Sequence, residues 1–416
     1  MKTTRRDFVI SAGAGALGTA ALPRLAAATA PAAAPGRAYD VAVVGAGVFG
    51  AWIANRLAKA GRRVALVDAY GPGNARSSSG GQSRVIRMAY GDEEIYTRWS
   101  MRSLDLWKSA FAEAGRPFFQ PVGVLWMARS GDPLTTKSVA ALQKLGVPHE
   151  RLERPELERR WPQIDFGANT WAIHEPRSGF ILAFHAVQAV VGLARGMGVD
   201  YFQEQVLPPA GAGRLASVAT RSGRTVHAGA FVFAGGPWLP KLFPHVLGDR
   251  IFPTRQEVFY FGPPAGDERF RLPAMPVWAD FAEEMYGVPD FKERGFKVAL
   301  DRHGPEFDPD AGERVVTPAT LAAVREFVAR RFPGLRDAPV VGSEVCQYEN
   351  TSNGDFLIDR HPERENVWLV GGGSGHGFKH GPAVGEYVAA RLADDGPVEA
   401  RFRLETKERI QKRAVY

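Results

Sequence analysis

Residues 39–68 limit what this chain can fold into more than any other stretch. Val41–Val44 predicts a short buried strand. Gly45, Gly47 and Gly50 follow it as a G-x-G-x-x-G turn that encloses Val48 and Phe49 and opens a helix predicted over Ala51–Ala60. A second apolar strand, Val64–Val67, ends on Asp68. Each part has a physical reason. Gly45 allows the tight turn, Gly47 lets a pyrophosphate approach the backbone, and Gly50 lets helix and strand pack closely. The helix N-terminus presents unpaired N–H groups and a positive dipole end to phosphates. Asp68 is placed to accept hydrogen bonds from an adenosine ribose. Strand, glycine turn, helix, strand and acid in this order predict an ADP-dinucleotide site rather than a chance glycine-rich turn.

The fingerprint is preceded by Met1–Ala38. Thr4-Arg5-Arg6-Asp7-Phe8 and the mild apolar run Val9–Leu22 resemble a twin-arginine export signal, although Ile10 stands where a basic residue is usual. The alternative is a structureless Ala/Pro-rich leader. On the export reading, the partner of residues 1–38 is the twin-arginine export machinery and the destination is the periplasm or the medium. The apolar run is too short to span a bilayer, and no membrane span is expected in the mature chain. The formal net charge is +7, of which Lys2, Arg5, Arg6 and Arg24 against Asp7 account for three. The remaining excess is spread along the chain, so no nucleic-acid partner is expected. The single cysteine, Cys346, excludes an intramolecular disulfide.

After Asp68 the segment Gly71–Gly81 is too rich in turn residues to be regular. Helices are predicted over Tyr96–Ala112, Val139–Leu145, Ala183–Met197, Ala319–Arg331 and Pro382–Leu392. Strands are predicted over Val122–Ala128, Tyr201-Phe202, Ser217–Thr225, Ala230–Ala234, Glu257–Phe261, Phe296–Leu300 and Val367–Val370. The order implies interleaving. A dinucleotide domain is expected from residues 39–118, 175–248 and 340–416. An antiparallel-sheet substrate domain is expected from 119–174 and 249–339.

The discriminating stretch is residues 345–380. It holds Cys346-Gln-Tyr348, then the strand Val367–Val370, then the turn Gly371-Gly-Gly373-Ser-Gly375-His376-Gly377-Phe378-Lys379. On these motifs, and on the N-terminal fingerprint, the chain resembles the D-amino-acid-oxidase-like flavin superfamily. Within it, the chain is similar to the covalent-flavin amine oxidases: monomeric sarcosine oxidase, N-methyltryptophan oxidase, pipecolate oxidase and fructosyl amino acid oxidases. The resemblance spans nearly all of residues 39–400. It implies a mixed α/β, GR2-type Rossmann-like FAD-binding domain with an interleaved antiparallel-sheet substrate domain, and FAD bonded to Cys346 through sulfur. Without the resemblance, Cys346 would read as a small buried core residue.

The resemblance further implies that Arg87, in Ser83-Arg84-Val85-Ile86-Arg87, grips a substrate carboxylate together with Lys379, by fork and point charge respectively. Lys297 would face the other side of the flavin and favour reaction with O2. Ser79, Ser83, Arg84 and Gly235 would contact the cofactor, while Tyr286 and Tyr348 would line the substrate cavity. His376 is expected to hydrogen-bond the loop backbone. Met88 and Asp301 stand where sarcosine oxidase has histidines, which points to a substrate other than sarcosine itself. Met88 would accommodate a more apolar side chain, and Asp301 would pair with a cationic group. Glu349, Asp355 and Asp359 form no metal-spaced set with a histidine, so no metal is expected.

The implied reaction moves a hydride equivalent from the C–H beside a secondary or N-alkyl amine to flavin N5. Imine hydrolysis and reoxidation by O2 to hydrogen peroxide follow, and the expected state is a monomer. The rivals are a dehydrogenase passing electrons to a quinone or another carrier, and a non-catalytic flavin-bearing binding protein.

Overall fold

The structure is a computed structural model that describes residues 38–394 and 396–412. The expected export leader lies outside the described residues except for Ala38. The mixed α/β architecture expected from the sequence is present, built on three sheets.

The first sheet is nucleated by the opening fingerprint. Tyr39–Val44 lies between Val64–Asp68 and Thr225–Phe233, parallel to both. Asp200–Gln203 extends the sheet in parallel beyond Val64–Asp68, and Arg364–Gly371 extends it in parallel beyond Thr225–Phe233. Leu357–His361 closes one edge in antiparallel pairing. Strand interiors such as Val41-Ala42-Val43-Val44 and Val64-Ala65-Leu66-Val67 are continuously buried, as a sheet covered on both faces requires. The helices Val48–Lys59, Ala183–Gly196 and Gly381–Asp394 pack together on one face, around Trp52, Val187 and Val384.

The second sheet has eight strands. Val340–Asn350 pairs with Phe252–Phe261, followed by Phe296–Leu300, Met285–Val288 and Val277–Asp280, all antiparallel. Val124–Ala128 then adds in parallel to Val277–Asp280, so the expected antiparallel sheet contains one parallel junction. One face carries an aromatic core of Phe296, Trp278, Phe327 and Phe332, with Trp278 and Phe296 stacked at 5.9 Å, and the helix Pro318–Arg331 closes that core. Because side chains alternate along a strand, the residue between Phe296 and Val298, Lys297, points away from that core. Val340–Asn350 belongs to this sheet over its whole length, whereas the sequence reading grouped it with the dinucleotide segments. Its ten-residue register with Phe252–Phe261 is a long-range pairing that no local pattern announces. A third sheet joins Ser83–Ile86, Gly179–Leu182 and Phe119–Gln120.

Two shorter differences follow from local chemistry. The first helix begins at Val48, earlier than predicted, because the glycine turn itself supplies its first turn. Ser217–Thr225 is not one strand: Ser217–Ala219 and Thr225–Phe233 form a hairpin across the Arg221-Ser222-Gly223 turn.

Candidate active site

The glycine turn sits at the carboxyl end of the first sheet. Gly45 has φ +105°, and a Cβ there would lie 2.3 Å from the Ala234 carbonyl oxygen. At Gly50 a Cβ would lie 1.8 Å from the Gly45 carbonyl, so strand, turn and helix close only with glycine at both positions. The first amide of the helix, Val48 N–H, donates to Ser79 Oγ at 2.9 Å, which ties the irregular segment Gly71–Gly81 to the helix N-terminus.

Asp68 also has a structural part that the sequence did not indicate. Its Oδ2 accepts from Ala46 N–H at 2.7 Å, and its Oδ1 accepts from Tyr70 and Gly71 N–H at 2.9 and 2.8 Å. The carboxylate therefore braces the turn from within, while remaining in the cavity wall. Burial raises its pKa, partly offset by those three amide hydrogen bonds.

A long cavity runs from this turn. Its walls include Gly45, Gly47, Val48, Phe49, Asp68, Ser79, Arg84, Gly235, Glu349, Gly373, Gly375 and Gly377, and it encloses about 1380 Å³ with its mouth included. Its lining runs from the glycine turn and Asp68 to Gly373–Gly377 along the carboxyl ends of the parallel strands, the place where such sheets bind dinucleotides. Gly50 stays behind the wall as a packing residue.

A smaller cavity of about 620 Å³ adjoins it, with Arg84, Tyr348, Gly375 and Phe378 in both walls. Arg87, Lys379, Lys297, Tyr286, Asp301 and His376 line it, all brought together from distant parts of the sequence. Arg87 Nη1 donates to Ala89 O at 2.5 Å, and its guanidinium lies over the Tyr90 and Trp126 rings at 4.1 and 4.8 Å. Lys379 Nζ donates to Tyr90 OH at 2.7 Å and His376 O at 3.0 Å. Burial, reinforced by the nearby Arg87 cation, holds its pKa well below the usual lysine value. Lys297 Nζ donates to Ser83 O at 3.1 Å, and burial together with the Arg84 charge lowers its pKa to about 7. Burial pushes the Tyr286 phenol up to about 12, with Asp301 adding to the effect, and also holds Tyr348 well above the usual phenol value. His376 Nε2 lies 3.0 Å from Gly354 O, so its ring is engaged by loop backbone.

Besides Gly50, three expected site residues line neither cavity wall. Met88 is a core residue, 4% exposed and absent from the cavity wall, because its own N–H is drawn to Glu175 Oε2 at 2.8 Å. Ser83 contributes its backbone carbonyl to Lys297 and Arg84 rather than its hydroxyl to the cavity. Cys346 sits just behind the walls, its Sγ accepting from Arg84 Nη2 at 3.3 Å. Among the described residues no group of three or more His, Cys, Asp or Glu is arranged to hold a metal ion, and no helix is long and apolar enough to cross a membrane.

Sequence reasoning missed Tyr90, His380, Glu175 and the cavity position of Glu349. Tyr90 OH is 2.8 Å from His380 Nε2 as well as bonded to Lys379. Glu175 accepts from Met88 N–H, Ala89 N–H, Trp126 Nε1 and Ser178 Oγ at 2.5–3.0 Å. Tyr90, three residues after Arg87 in an otherwise apolar run, was the one available signal. Glu175 offered none, since its partners come from three separate segments.

Residues 40–391 match the family described as FAD dependent oxidoreductase (DAO). The chain belongs to that family. This FAD-dependent oxidoreductase is 31% identical to a monomeric sarcosine oxidase of Streptomyces avermitilis over 358 residues, covering 84% of this chain and 92% of the relative. It is 30% identical to the peroxisomal sarcosine oxidase of Homo sapiens, covering 84% and 91% of the two chains. An N-methyl-L-tryptophan oxidase of Salmonella enteritidis is 28% identical, with coverage of 84% and 94%. Among solved structures, glycine oxidase from Geobacillus kaustophilus shares the fold with a TM-score of 0.72 at 21% identity, covering 88% of this chain and 98% of that one. The oxidoreductase's residues fit FAD: the glycine turn, a cavity that continues from it along the carboxyl ends of the strands, and a cavity-wall residue, Glu349, whose buried Oε2 has no hydrogen-bond donor among the described residues.

Proposed function

We propose that this oxidoreductase oxidises secondary or N-alkyl amino acids. The observation that carries the reading is that Arg87 and Lys379, both more than nine-tenths buried, share the wall of one small cavity beside the dinucleotide cavity. Burial and the Arg87 cation disfavour the charged form of Lys379, and a bound carboxylate would meet Arg87 by bidentate contact and favour the Lys379 ammonium by point charge. The cavity's aromatic walls, Trp126, Tyr286 and Tyr348, give the carbon to be oxidised an apolar setting beside the two cationic side chains. The named relatives act on sarcosine and N-methyl-L-tryptophan, both N-methyl amino acids.

FAD, when bound, supplies the hydride acceptor and the route to an external oxidant. The chain's own part is to fix the carboxylate with Arg87 and Lys379, so that the C–H beside the nitrogen faces the shared wall. Asp301 offers an anion to a cationic group of the substrate. Lys297 presents a positive charge where O2 would be reduced. Cys346, with Arg84 donating to its sulfur, is the residue we assign to a covalent link with the flavin. Residues 1–38 direct export by the twin-arginine route.

The test is a visible spectrum before and after acid precipitation, for the parent and for Cys346→Ala, followed by a peroxide-coupled screen of N-methyl and cyclic amino acids. Flavin that stays with the parent pellet and leaves the variant, with peroxide formed, supports the whole reading. Flavin released from both removes the covalent link. Substrate-reduced flavin that reoxidises slowly in air points to another electron acceptor, and no reduction by any amino acid sinks the oxidase assignment.

A further inference from the structure

The strand Val340–Asn350 alternates its side chains, so Cys346 and Tyr348 share one face and Glu349 points the other way. Glu349 is nevertheless in the wall of the long cavity and only 8% exposed. Its backbone carbonyl accepts from Ser374 N–H at 3.1 Å, and its Oε1 accepts from Gly373 N–H at 3.3 Å. Its Oε2 has no hydrogen-bond partner among the described residues.

The surroundings are shaped around this carboxyl group. A Cβ on Gly236 would come within 2.7 Å of Oε2, and one on Gly373 within 3.2 Å of Oε1. Burial raises the Glu349 pKa to about 7, which marks how little the protein alone compensates the group. An acceptor buried without a donor is costly, so a donor on the cavity's ligand is the natural complement.

The position narrows the donor. The adenosine end of the cavity is walled by Asp68, Tyr70, Glu204 and Gln205, at the carboxyl ends of adjacent parallel strands. Glu349 lies instead between Gly235-Gly236 and Gly373–Gly375, beside Tyr348, which belongs to both cavities. Between the phosphates and the ring, FAD offers only the hydroxyls of its ribityl chain as donors. We propose that Glu349 accepts a hydrogen bond from a ribityl hydroxyl of FAD and thereby holds the middle of the cofactor. The inference rests on FAD binding and is independent of the substrate assignment.

The test is a binding cycle in the full chain carrying Cys346→Ala, so that affinity is read without a covalent link. Flavin-free protein is titrated with FAD and with analogues lacking single ribityl hydroxyls, following flavin fluorescence. One analogue is expected to bind about 10- to 100-fold more weakly than FAD, as for a hydrogen bond to a carboxylate. Adding Glu349→Ala should weaken FAD by a similar factor and abolish the difference between FAD and that analogue. Glu349→Gln, which keeps an acceptor oxygen, should retain most of the affinity. The proposal is overturned if every analogue binds the Cys346→Ala protein as tightly as FAD, a result that needs no change at Glu349. It is also overturned if the analogue's loss is the same with and without Glu349. Loss of amino-acid turnover with this cycle intact would count against the substrate reading alone.

Discussion

Lys297 shows how one side chain takes its chemistry from its neighbours. Strand alternation turns it away from the Phe296–Val298 core, and the Ser83 carbonyl meets its ammonium at 3.1 Å. With its pKa lowered to about 7, the cation is present below that pH and lost as pH rises through it. Reoxidation of the reduced protein by O2 should therefore be faster below pH 7 than above it. Lys297→Met should slow it about 10²-fold and flatten the pH profile. Stopped-flow mixing of reduced protein with oxygenated buffer reads both effects, and an unchanged rate would remove Lys297 from this role. Tyr90 is a positioning residue for Lys379. Tyr90→Phe removes the phenol oxygen 2.7 Å from Lys379 Nζ, and the KM for a carboxylate substrate should rise about tenfold, with kcat less affected. Lys379 itself was legible from the Gly-rich turn before the last helix, but its depressed pKa was not. That depends on Arg87, which lies far away in the sequence.

At the scale of elements, the turn Arg87–Ala89 is held by a carboxylate on another strand. Glu175, at the end of Trp171–Glu175, accepts from two successive amides of that turn and from Trp126 Nε1. This clamp aims Arg87 across the Tyr90 and Trp126 rings. Glu175→Ala leaves buried donors without an acceptor and should cost about 3 kcal/mol, seen as a fall in thermal midpoint of several degrees. Arg87-dependent substrate binding should weaken in parallel. A midpoint within a degree of the parent would refute the clamp. The glycine turn makes the complementary case. Gly45→Ala would drive a Cβ into the Ala234 carbonyl at a φ that L residues resist, and purified protein should carry little flavin per chain by absorbance. The need for Gly45 was legible, since strand, turn and helix are contiguous. Its partner Ala234 was not, because that contact comes from the end of Thr225–Phe233.

At the scale of the molecule, the cofactor cavity and the small cavity meet along Arg84, Tyr348, Gly375 and Phe378, four positions drawn from two distant stretches of chain. Val340–Asn350 is the strand that links the two sites: it carries Cys346, Tyr348 and Glu349 while pairing along its length with Phe252–Phe261. The proposed export belongs to this scale as well. Replacing Arg5 and Arg6 with lysine should hold the full-length protein in the cytoplasm without altering its flavin content. Cell fractionation with absorbance of each fraction checks this, and undiminished export would dismiss the twin-arginine reading.

Part of this molecule is encoded by short-range chemistry and can be read along the chain. That covers the dinucleotide turn, the helices and buried strands around it, and the mixed α/β class. Glycine geometry and hydrophobic period act over a few residues and can be read there. Only the tertiary structure decided which of those residues share a wall. It withdrew Met88 into the core and turned the Asp68 carboxylate inward to brace its own turn. It also brought Tyr90, Glu175 and Glu349 to the site. Those outcomes depend on strand register and on competition among buried polar groups for partners, which come from segments far apart in the chain.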